Sequence, residues 1–333
     1  MSKSKFFSVF VLFTLSALSK IFALDSSIIK SLNSIDFSEI TYIAPASWPS
    51  SDYWNKINKI LAIDKKINIK TIHNNSIPYH AADDKTRFNN LLSALNGDKK
   101  YLWCIRGGYG SARLLDDLQL IKKPKKQKIL IGYSDITFLH LFFNKWGWKT
   151  IHASMPSDLA NEKINPKNFS LLAKILSHPK GKLSYQGLKP MNELAKNSKL
   201  TTGEILGGNL TLLENSLGTS WQIDGKNKII LIEDIGSDEY AIDRSLLHMQ
   251  QAGVFSSAKA ILFGKFIPKN NNNIDLTYAI QRFAKLIKIP VFFSADFGHS
   301  SNNYPLPFGF TSTISENPNK KDFILNIPYD FSE

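Results

Sequence analysis

The first candidate for a chemically active side chain is a serine at the end of an apolar run. Residues 129–131 are Ile-Leu-Ile, and Gly132-Tyr133-Ser134-Asp135 follows, before a helix-like segment that begins near Ile136. A serine at a sharp strand-to-helix turn presents its hydroxyl at the end of a sheet, and the helix N-terminus offers N–H groups to a developing negative charge. Ser134 is therefore a candidate nucleophile. Ile136 replaces the second glycine of G-x-S-x-G, so a turn that only caps a helix remains an alternative.

A serine nucleophile needs a base that accepts its proton and a carboxylate that orients the base. Of the seven histidines, His299 follows a strand-like run in a polar, glycine-containing loop, and catalytic groups often lie on loops held by a rigid scaffold. His152, after another short run, is a second candidate to line a cleft. Glu233 and Asp234 end an apolar run, where an unpartnered charge is costly. The alternative role, in which an acid caps the next helix, suits Asp234 or Asp238 better than Glu233.

The glycine-rich segment Gly107-Gly108-Tyr109-Gly110 lacks the Lys-Ser/Thr of a P-loop and the spacing of a dinucleotide-binding loop. Its N–H groups fit an oxyanion hole better. The sequence contains no H-E-x-x-H or C-x-x-C pattern and no dense acidic cluster. We therefore expect neither a metal nor a cofactor. Cys104, the only cysteine, lies in an apolar run, so we expect a buried, inert thiol.

The elements that must position these groups alternate along the first half of the chain. Apolar runs predict strands at residues 40–44, 67–72, 101–105 and 128–132, with helices near 53–61, 83–95 and 111–118. Strands separated by single helices indicate βαβ units and a parallel sheet, whose sites form at the carboxyl ends of the strands. The glycine-rich segment and Ser134 would both lie at that edge.

The second half resumes after a polar, lysine-rich stretch between residues 161 and 200, which we interpret as the end of one domain and a linker. Further strands are predicted at 228–232, 258–263 and 291–294, and helices at 240–252 and 276–287. A closing hairpin is expected from residues 308–312 and 323–327. This organisation indicates two domains.

Charge and composition narrow the classes of partner. The 333 residues include 43% hydrophobic and 21% charged residues, with a formal net charge of +13, as expected for a globular protein. The lysines are scattered apart from a short cluster at residues 122–126, and no nucleic-acid-binding motif is present. We expect a solvated basic surface and no nucleic-acid partner. Attraction of anionic polymers or substrates is a secondary role for this surface.

Residues 1–23 have the layout of a secretory signal peptide. Lys3 and Lys5 precede a compact apolar run, and small residues near 17–23 offer cleavage sites. The run is short for a membrane span. We expect a periplasmic mature protein; a cytoplasmic protein, or one held at the inner membrane by its leader, is the alternative.

Several segments in chain order carry a resemblance to a known family. They are Arg106-Gly107-Gly108-Tyr109-Gly110, Gly132-Tyr133-Ser134-Asp135, Gly207-Gly208-Asn209-Leu210, Glu233-Asp234 with Tyr240 and Asp243-Arg244, Ile261-Leu262-Phe263-Gly264, and Gly298-His299. With these, the chain resembles the LD-carboxypeptidases of serine peptidase family S66, which also includes microcin-immunity peptidases. It departs from the family at residues 152–156, where a His-Gly-Pro-like turn is expected, and in its leader.

The resemblance implies a two-domain α/β fold with the active site at the domain junction. The N-terminal domain, a flavodoxin-like parallel sheet, would span residues 24–185, a linker 186–202, and a C-terminal α/β-β domain 203–333. Ser134 would be the nucleophile, His299 the base and Glu233 its orienting carboxylate. The N–H groups of Gly108 and Asp135 would form the oxyanion hole.

The substrate implied by the resemblance is a murein tetrapeptide that loses its terminal D-alanine. Arg106, Tyr109 and Asn209 are the expected substrate contacts, and Arg113 and Arg244 are further candidates for binding the free carboxylate. A homodimer is expected from the family. A peptidase that cleaves a toxic peptide conjugate, and a non-catalytic muropeptide-binding protein, remain the alternatives.

Overall fold

Two β-sheets organise the chain, of which the computed structural model describes residues 25–267, 269 and 277–332. The first sheet contains β1 (Ile40–Ile43), β2 (Tyr101–Cys104), β3 (Ile129–Gly132), β4 (Thr150–His152) and, at its edge, β10 (Leu306–Phe308). Strands β1 to β4 are parallel and adjacent in chain order, whereas β10 is antiparallel to β4. The predicted parallel N-terminal sheet is confirmed.

The second sheet closes on itself. Its strands are β5 (Lys180–Pro190), β6 (Leu200–Asn209), β7 (Lys228–Ile235), β8 (Ala260–Ile267), β9 (Val291–Gly298), β11 (Thr311–Glu316) and β12 (Phe323–Asp330). Strands β6 to β9 are parallel neighbours, and β5, β12 and β11 complete the closure with antiparallel pairing. The α/β architecture with two sheets is therefore confirmed.

Helices connect and cover the strands. They are α1 (Ser26–Asn33), α2 (Ser51–Leu61), α3 (Asp84–Asn96), α4 (Leu115–Leu120), α5 (Thr137–Lys145), α6 (Lys167–Ser177), α7 (Glu193–Lys196), α8 (Leu210–Asn215), α9 (Glu239–Gln251) and α10 (Thr277–Leu286). Short 3₁₀ turns lie at Phe37–Glu39, Ile63–Lys65, Ile69–Thr71, Ser111–Leu114, Ser134–Ile136 and Pro156–Ala160.

The central strands are apolar because the first sheet is covered on both faces. Every residue of β2 and β3 is buried, and Trp103 and Cys104 are completely inaccessible. Such continuous apolar runs are typical of parallel strands between helices. The predicted burial of the Cys104 thiol is confirmed. This burial raises the pKa of the thiol well above its ordinary value.

The two sheets meet where the end of β6 touches the first turn of α5. The backbone N–H of Asn209 donates to Thr137 Oγ1 over 3.1 Å. Gly208 has a φ of +140°, and a Cβ there would collide with that same oxygen. A side chain at Gly208 would therefore push the nucleophile's helix away from the second sheet.

The strand predicted at residues 67–72 is wrong, because this segment forms the 3₁₀ turn Ile69–Thr71. Asn68 accepts from the N–H of Lys70, and Thr71 Oγ1 donates to the Asn68 carbonyl oxygen. Such local side-chain bonds give the backbone partners that a sheet would otherwise supply. β1 therefore pairs directly with β2.

The organisation also differs from the sequence prediction around the domain boundary. The predicted linker, residues 186–202, contains the end of β5, all of α7 and the start of β6. Conversely, β10 follows β9 in the chain yet pairs with β4 in the first sheet. The predicted hairpin is formed by β11 and β12 alone, because Phe308 belongs to β10. The polar, lysine-rich composition of this stretch of the sequence is explained by strands that have one exposed face.

No helix within residues 25–267, 269 and 277–332 has the length and apolarity needed to cross a membrane. The predicted signal peptide, residues 1–23, lies outside the described residues.

Candidate active site

The structure brings His299 and Glu233 together from neighbouring parts of the second sheet. His299 follows the last residue of β9, and its Nδ1 lies 2.6 Å from Oε2 of Glu233, which is fully buried in β7. The close approach of the His299 segment to Glu233 requires a glycine at position 298 (φ +106°). A Cβ at Gly298 would lie only 2.9 Å from the Glu233 Cβ. Donation from Nδ1–H to the carboxylate fixes one tautomer and leaves Nε2 as the proton acceptor.

The surroundings of His299 favour its protonated form. Burial by itself lowers the pKa of His299, but the charge and hydrogen bond of Glu233 oppose this. The carboxylates of Asp158 and Asp234 add to the opposing effect, so the pKa is raised overall above the ordinary value of 6.5. The pair can therefore stabilise the imidazolium that forms when the base takes a proton.

Ser134 has the strained backbone expected of a nucleophile at a sharp turn. It begins the 3₁₀ turn Ser134–Ile136 directly after β3 and Tyr133, with a φ of +64°, a left-handed conformation that is unfavourable for a serine. Gly107 packs against it, since a Cβ there would lie 3.2 Å from Ser134 Oγ. Strain of this kind clusters at functional sites, where the surrounding structure maintains it.

Ser134 and His299 line one open cavity of about 610 Å³. Arg106, Gly107, Gly108 and Tyr133 contribute to the same wall. The Tyr133 ring packs against the His299 ring, with centroids 4.9 Å apart. A side-chain hydroxyl, an imidazole oriented by a carboxylate and unpaired backbone N–H groups thus share one space, as nucleophilic acyl transfer requires.

The backbone N–H groups predicted for the oxyanion hole have no acceptor within the described part of the chain. Gly108 has a φ of +102°, and a Cβ there would collide with Ser47 Oγ. The side-chain carboxylate of Asp135 accepts the Ser111 N–H over 2.8 Å, and the backbone carbonyl oxygen of Asp135 accepts the Ser111 hydroxyl. These bonds fix the peptide next to Ser134 and leave the Asp135 N–H available for a developing oxyanion.

Of the three arginines considered for a substrate carboxylate, only Arg106 lines this cavity. It is exposed, donates to the Trp48 carbonyl oxygen, and has no carboxylate partner among the described residues. Arg113 pairs instead with Asp84 over 2.7 Å. Arg244 lies over the Tyr240 ring, while the neighbouring Asp243 binds Arg282.

Two further residues predicted to contact the substrate, Asn209 and Tyr109, do not line this cavity. Asn209 is buried, and its amide donates to Asp234 Oδ1 over 2.6 Å, so it supports the acidic end of β7 rather than lining the cavity. Tyr109 is half exposed, outside the cavity lining, and its ring packs near Tyr79 and His80. His152 is fully buried beside Tyr133, and burial lowers its pKa well below the ordinary value.

Sequence reasoning missed Asp158, which also lines the cavity. Its carboxylate accepts the Met155 N–H over 2.8 Å and the Tyr133 hydroxyl over 3.1 Å. Burial raises the pKa of Asp158 to about 6, against the effect of these bonds and of His299. Asp158 therefore holds Tyr133 against the base. No local pattern in the sequence marks this residue.

A second missed residue, Arg87, holds the glycine-rich segment in place. Arg87 is completely buried in α3 and donates to the carbonyl oxygens of Pro45, Ala82 and Gly110 and to Asp84. It thereby joins the loops that follow β1 and β2. Within the described residues, no cluster of three or more His, Cys, Asp or Glu side chains could hold a metal ion.

Comparison with known proteins identifies the family of the chain. Residues 40–153 match the family described as the LD-carboxypeptidase N-terminal domain, and residues 202–314 match its C-terminal domain. A putative carboxypeptidase of Rickettsia conorii is 41% identical over 83% of this chain and 87% of its own length. The chain belongs to the LD-carboxypeptidase family. As a member of this family it is a peptidase, and the resemblance found in the sequence is confirmed.

Other similar proteins are more distant. A probable murein peptide carboxypeptidase of Bacillus subtilis is 29% identical over 86% of this chain and 91% of its own. The solved muramoyltetrapeptide carboxypeptidase of Oxalobacter formigenes shares the fold, with a TM-score of 0.71, 23% identity, and coverage of 87% and 99%. A microcin C7 self-immunity protein also shares it, with a TM-score of 0.70, 19% identity, and coverage of 88% and 96%.

Proposed function

We propose that this protein is a serine LD-carboxypeptidase that releases the terminal D-alanine from murein tetrapeptides. The observation that carries the proposal is the Glu233–His299 hydrogen bond of 2.6 Å beside the strained Ser134 in one cavity. The relative from Bacillus subtilis, named for murein peptides, supports the substrate class.

The first half of the reaction forms an acyl-enzyme. Ser134 Oγ attacks the carbonyl carbon of the third residue while His299 Nε2 takes the hydroxyl proton. The N–H groups of Gly108 and Asp135 bind the oxyanion that develops on the carbonyl oxygen. His299 then gives its proton to the amine of D-alanine, and the C–N bond breaks.

Water completes the reaction by hydrolysing the ester on Ser134. His299 accepts a proton from the water as its oxygen attacks the ester carbon, and returns that proton to Ser134 Oγ when the C–O bond breaks. Glu233 remains ionised throughout and stabilises the imidazolium at both stages. Products are the shortened tripeptide acid and free D-alanine.

Arg106 would make the enzyme an exopeptidase. Its guanidinium lines the cavity beside Ser134 and has no carboxylate partner among the described residues. A free terminal carboxylate is the natural partner for its planar donors.

We also propose that the mature protein is periplasmic, exported through the predicted leader at residues 1–23, and that it assembles as a homodimer.

The alternative within the family is cleavage of a toxic peptide conjugate, as the name of the microcin self-immunity protein with this fold suggests. A substrate panel separates the two. We expect turnover of a tetrapeptide ending in D-alanine, little turnover of its L-alanine epimer or of the carboxamide, and none of an aminoacyl-sulfamoyl nucleoside. Preference for the nucleoside would favour the alternative. Tight tetrapeptide binding without product would indicate a non-catalytic binding protein.

A further inference from the structure

A second cavity of about 500 Å³ lies next to the catalytic cavity. Ser50 and Arg106 line both spaces, so the two cavities share a wall. The proposed function gives Arg106 to the carboxylate of the residue that is released. The second cavity therefore lies on the side of the leaving group, where D-alanine has only a methyl group to fill it. Ligand sites commonly have such a volume.

The covalent geometry of the leaving residue keeps its side chain near this shared wall. The carboxylate and the side chain of an amino acid are bonded to the same carbon atom, so a carboxylate bound to Arg106 holds the side chain close to the guanidinium. Arg106 is itself held, because its Nη1 donates to the Trp48 carbonyl oxygen over 2.5 Å. A side chain longer than a methyl group can pass Arg106 and enter the second cavity.

The lining of the second cavity suits a neutral aromatic side chain. Its apolar surface comes from Trp48, Pro49, Ile77, Pro78 and Tyr79. Tyr79 is 61% exposed, so its ring is available to pack against an incoming ring. Among the described residues, the lining contains no Asp, Glu or Lys, and its one guanidinium, Arg106, is engaged by the carboxylate. A charged side chain would therefore lose hydration here without gaining a partner.

The walls of the second cavity are held in place by the protein itself. Ser47 Oγ donates to the Tyr79 carbonyl oxygen over 2.5 Å. His73 Nδ1 lies 2.6 Å from the Ala81 carbonyl oxygen, and the Trp48 ring stacks on the His73 ring with centroids 4.4 Å apart. The two aromatic parts of the wall are thus anchored on separate segments. A site organised in this way loses little conformational freedom when it binds.

We propose that the second cavity receives the side chain of the released residue, so that the enzyme removes aromatic D-residues, such as D-phenylalanine, in addition to D-alanine. This inference rests on the proposed function, since it concerns the leaving group of the same reaction. The same amide C–N bond breaks, and the aromatic D-amino acid leaves with the proton that His299 supplies. The ring adds buried apolar contact to the carboxylate contact at Arg106.

Competition between two tetrapeptides tests the proposal. The peptides share their first three residues and end in D-alanine or D-phenylalanine, and mass spectrometry follows both in one reaction. The ratio of their kcat/KM values is then independent of the amount of active enzyme. We expect the wild type to favour the D-phenylalanine peptide by about 3- to 10-fold.

Substitutions in the lining should change this ratio. Tyr79→Ala should lower it by about 3- to 10-fold, whereas Tyr79→Phe, which keeps the ring, should retain the wild-type value. Asn75→Trp places a large side chain at an exposed position of the lining and should lower the ratio by about 10-fold or more. Tyr278→Ala is the matched control, because Tyr278 is 66% exposed on α10 and lines neither cavity.

Turnover of the D-alanine peptide alone would overturn this inference while the proposed function stands. Turnover of both peptides, with a ratio that neither Tyr79→Ala nor Asn75→Trp changes, would also overturn it, because the side chain would then lie elsewhere. If the folded wild type cleaves neither peptide, the proposed function fails, and calorimetry with Ser134→Ala decides the role of the cavity. Tighter binding of the D-phenylalanine peptide, lost when Tyr79→Ala is added, would support the cavity; equal binding of the two peptides would contradict it.

Discussion

At the residue scale, the carboxylate of Glu233 determines both the tautomer and the charge of His299. The histidine must be neutral before it can accept the Ser134 proton. Because Glu233, Asp158 and Asp234 raise the pKa of His299 above 6.5 despite its burial, the imidazole stays protonated to a higher pH than a free histidine. Ser134 supplies the hydroxyl that this base deprotonates, and its strained backbone, with a φ of +64°, destabilises the folded state.

The pH profile tests the charge on His299. We expect kcat/KM for the tetrapeptide to rise with pH along an acid limb whose apparent pKa lies above 6.5 in the wild type. Glu233→Gln should move that limb to lower pH, because the neutral amide no longer favours the imidazolium, and should reduce kcat by about 10⁴-fold. A wild-type limb at or below 6.5, or an unchanged limb in Glu233→Gln, would contradict this assignment.

The backbone of Ser134 gives a prediction about stability. A left-handed conformation costs a residue with a Cβ roughly 1–2 kcal/mol, whereas glycine adopts it freely. Ser134→Gly should therefore unfold at higher denaturant concentration than Ser134→Ala, by about 1 kcal/mol in the free energy of unfolding. Both variants lack the hydroxyl and should be inactive. Equal stability of the two would show that the turn is unstrained.

At the element scale, the loop that carries His299 is anchored to the first domain. Asn168, buried near the start of α6, donates to the Ser301 carbonyl oxygen over 3.1 Å and accepts the Asn303 N–H over 3.1 Å. Asn303 in turn accepts the N–H of Gly298 over 3.1 Å. His299 is therefore held by β9 on one side, and its loop is held on the opposite side by α6 of the first domain.

Asn168 is thus expected to act as a positioning residue. Asn168→Ala should lower the free energy of unfolding by about 1–3 kcal/mol, since it leaves buried groups without partners. Assayed well below its melting temperature, it should lower kcat by about 10-fold with little change in KM, and keep the acid limb, because Glu233 is untouched. Asn168→Asp retains one acceptor and should recover part of kcat. A proportional loss of active protein alone, with normal kcat per active site, would indicate a purely structural role.

Sequence patterns predicted the parts of the site that depend on strand ends. Ser134 follows β3 and His299 follows β9, so local apolar runs were sufficient to place them. Asp158 and Arg87 were missed because their roles arise only from long-range packing, Asp158 against Tyr133 and Arg87 against Pro45 and Gly110. No local pattern in the sequence distinguishes these side chains from solvated ones.

The wrong predictions have similar physical causes. Residues 67–72 have the isoleucines of a strand, but Asn68 closes a local turn. β10 is only Leu306–Phe308, too short to predict a partner, and its place beside β4 depends on where the second sheet ends. The linker prediction was wrong because β5 is exposed along one face, and the polar residues of that face resemble those of a linker.

At the scale of the whole molecule, β10 joins the two sheets. The chain leaves β9 of the closed sheet, runs through the His299 loop, adds β10 to the edge of β4, and returns as β11. Phe308, 1% exposed in β10, packs against the rings of His140 and His152. The two domains therefore share a strand as well as the active site.

This shared strand should make unfolding a single transition. We expect tryptophan fluorescence and far-ultraviolet circular dichroism to give coincident denaturation curves. The fluorescence reports mainly the first half of the chain, because five of the six tryptophans precede residue 150. Phe308→Ala should shift both curves together, with a loss of about 3–5 kcal/mol. Two separate transitions, of which only one responds to Phe308→Ala, would show that the domains unfold independently.

The central claim is that Ser134 carries out the removal of a terminal D-alanine from a murein tetrapeptide. It is tested most directly by mass spectrometry of the purified disaccharide-tetrapeptide after incubation with the wild type and with Ser134→Ala. We predict the loss of one alanine residue with the wild type and an unchanged mass with the folded variant. Equal loss with both proteins, or an unchanged mass with the folded wild type, would contradict the claim.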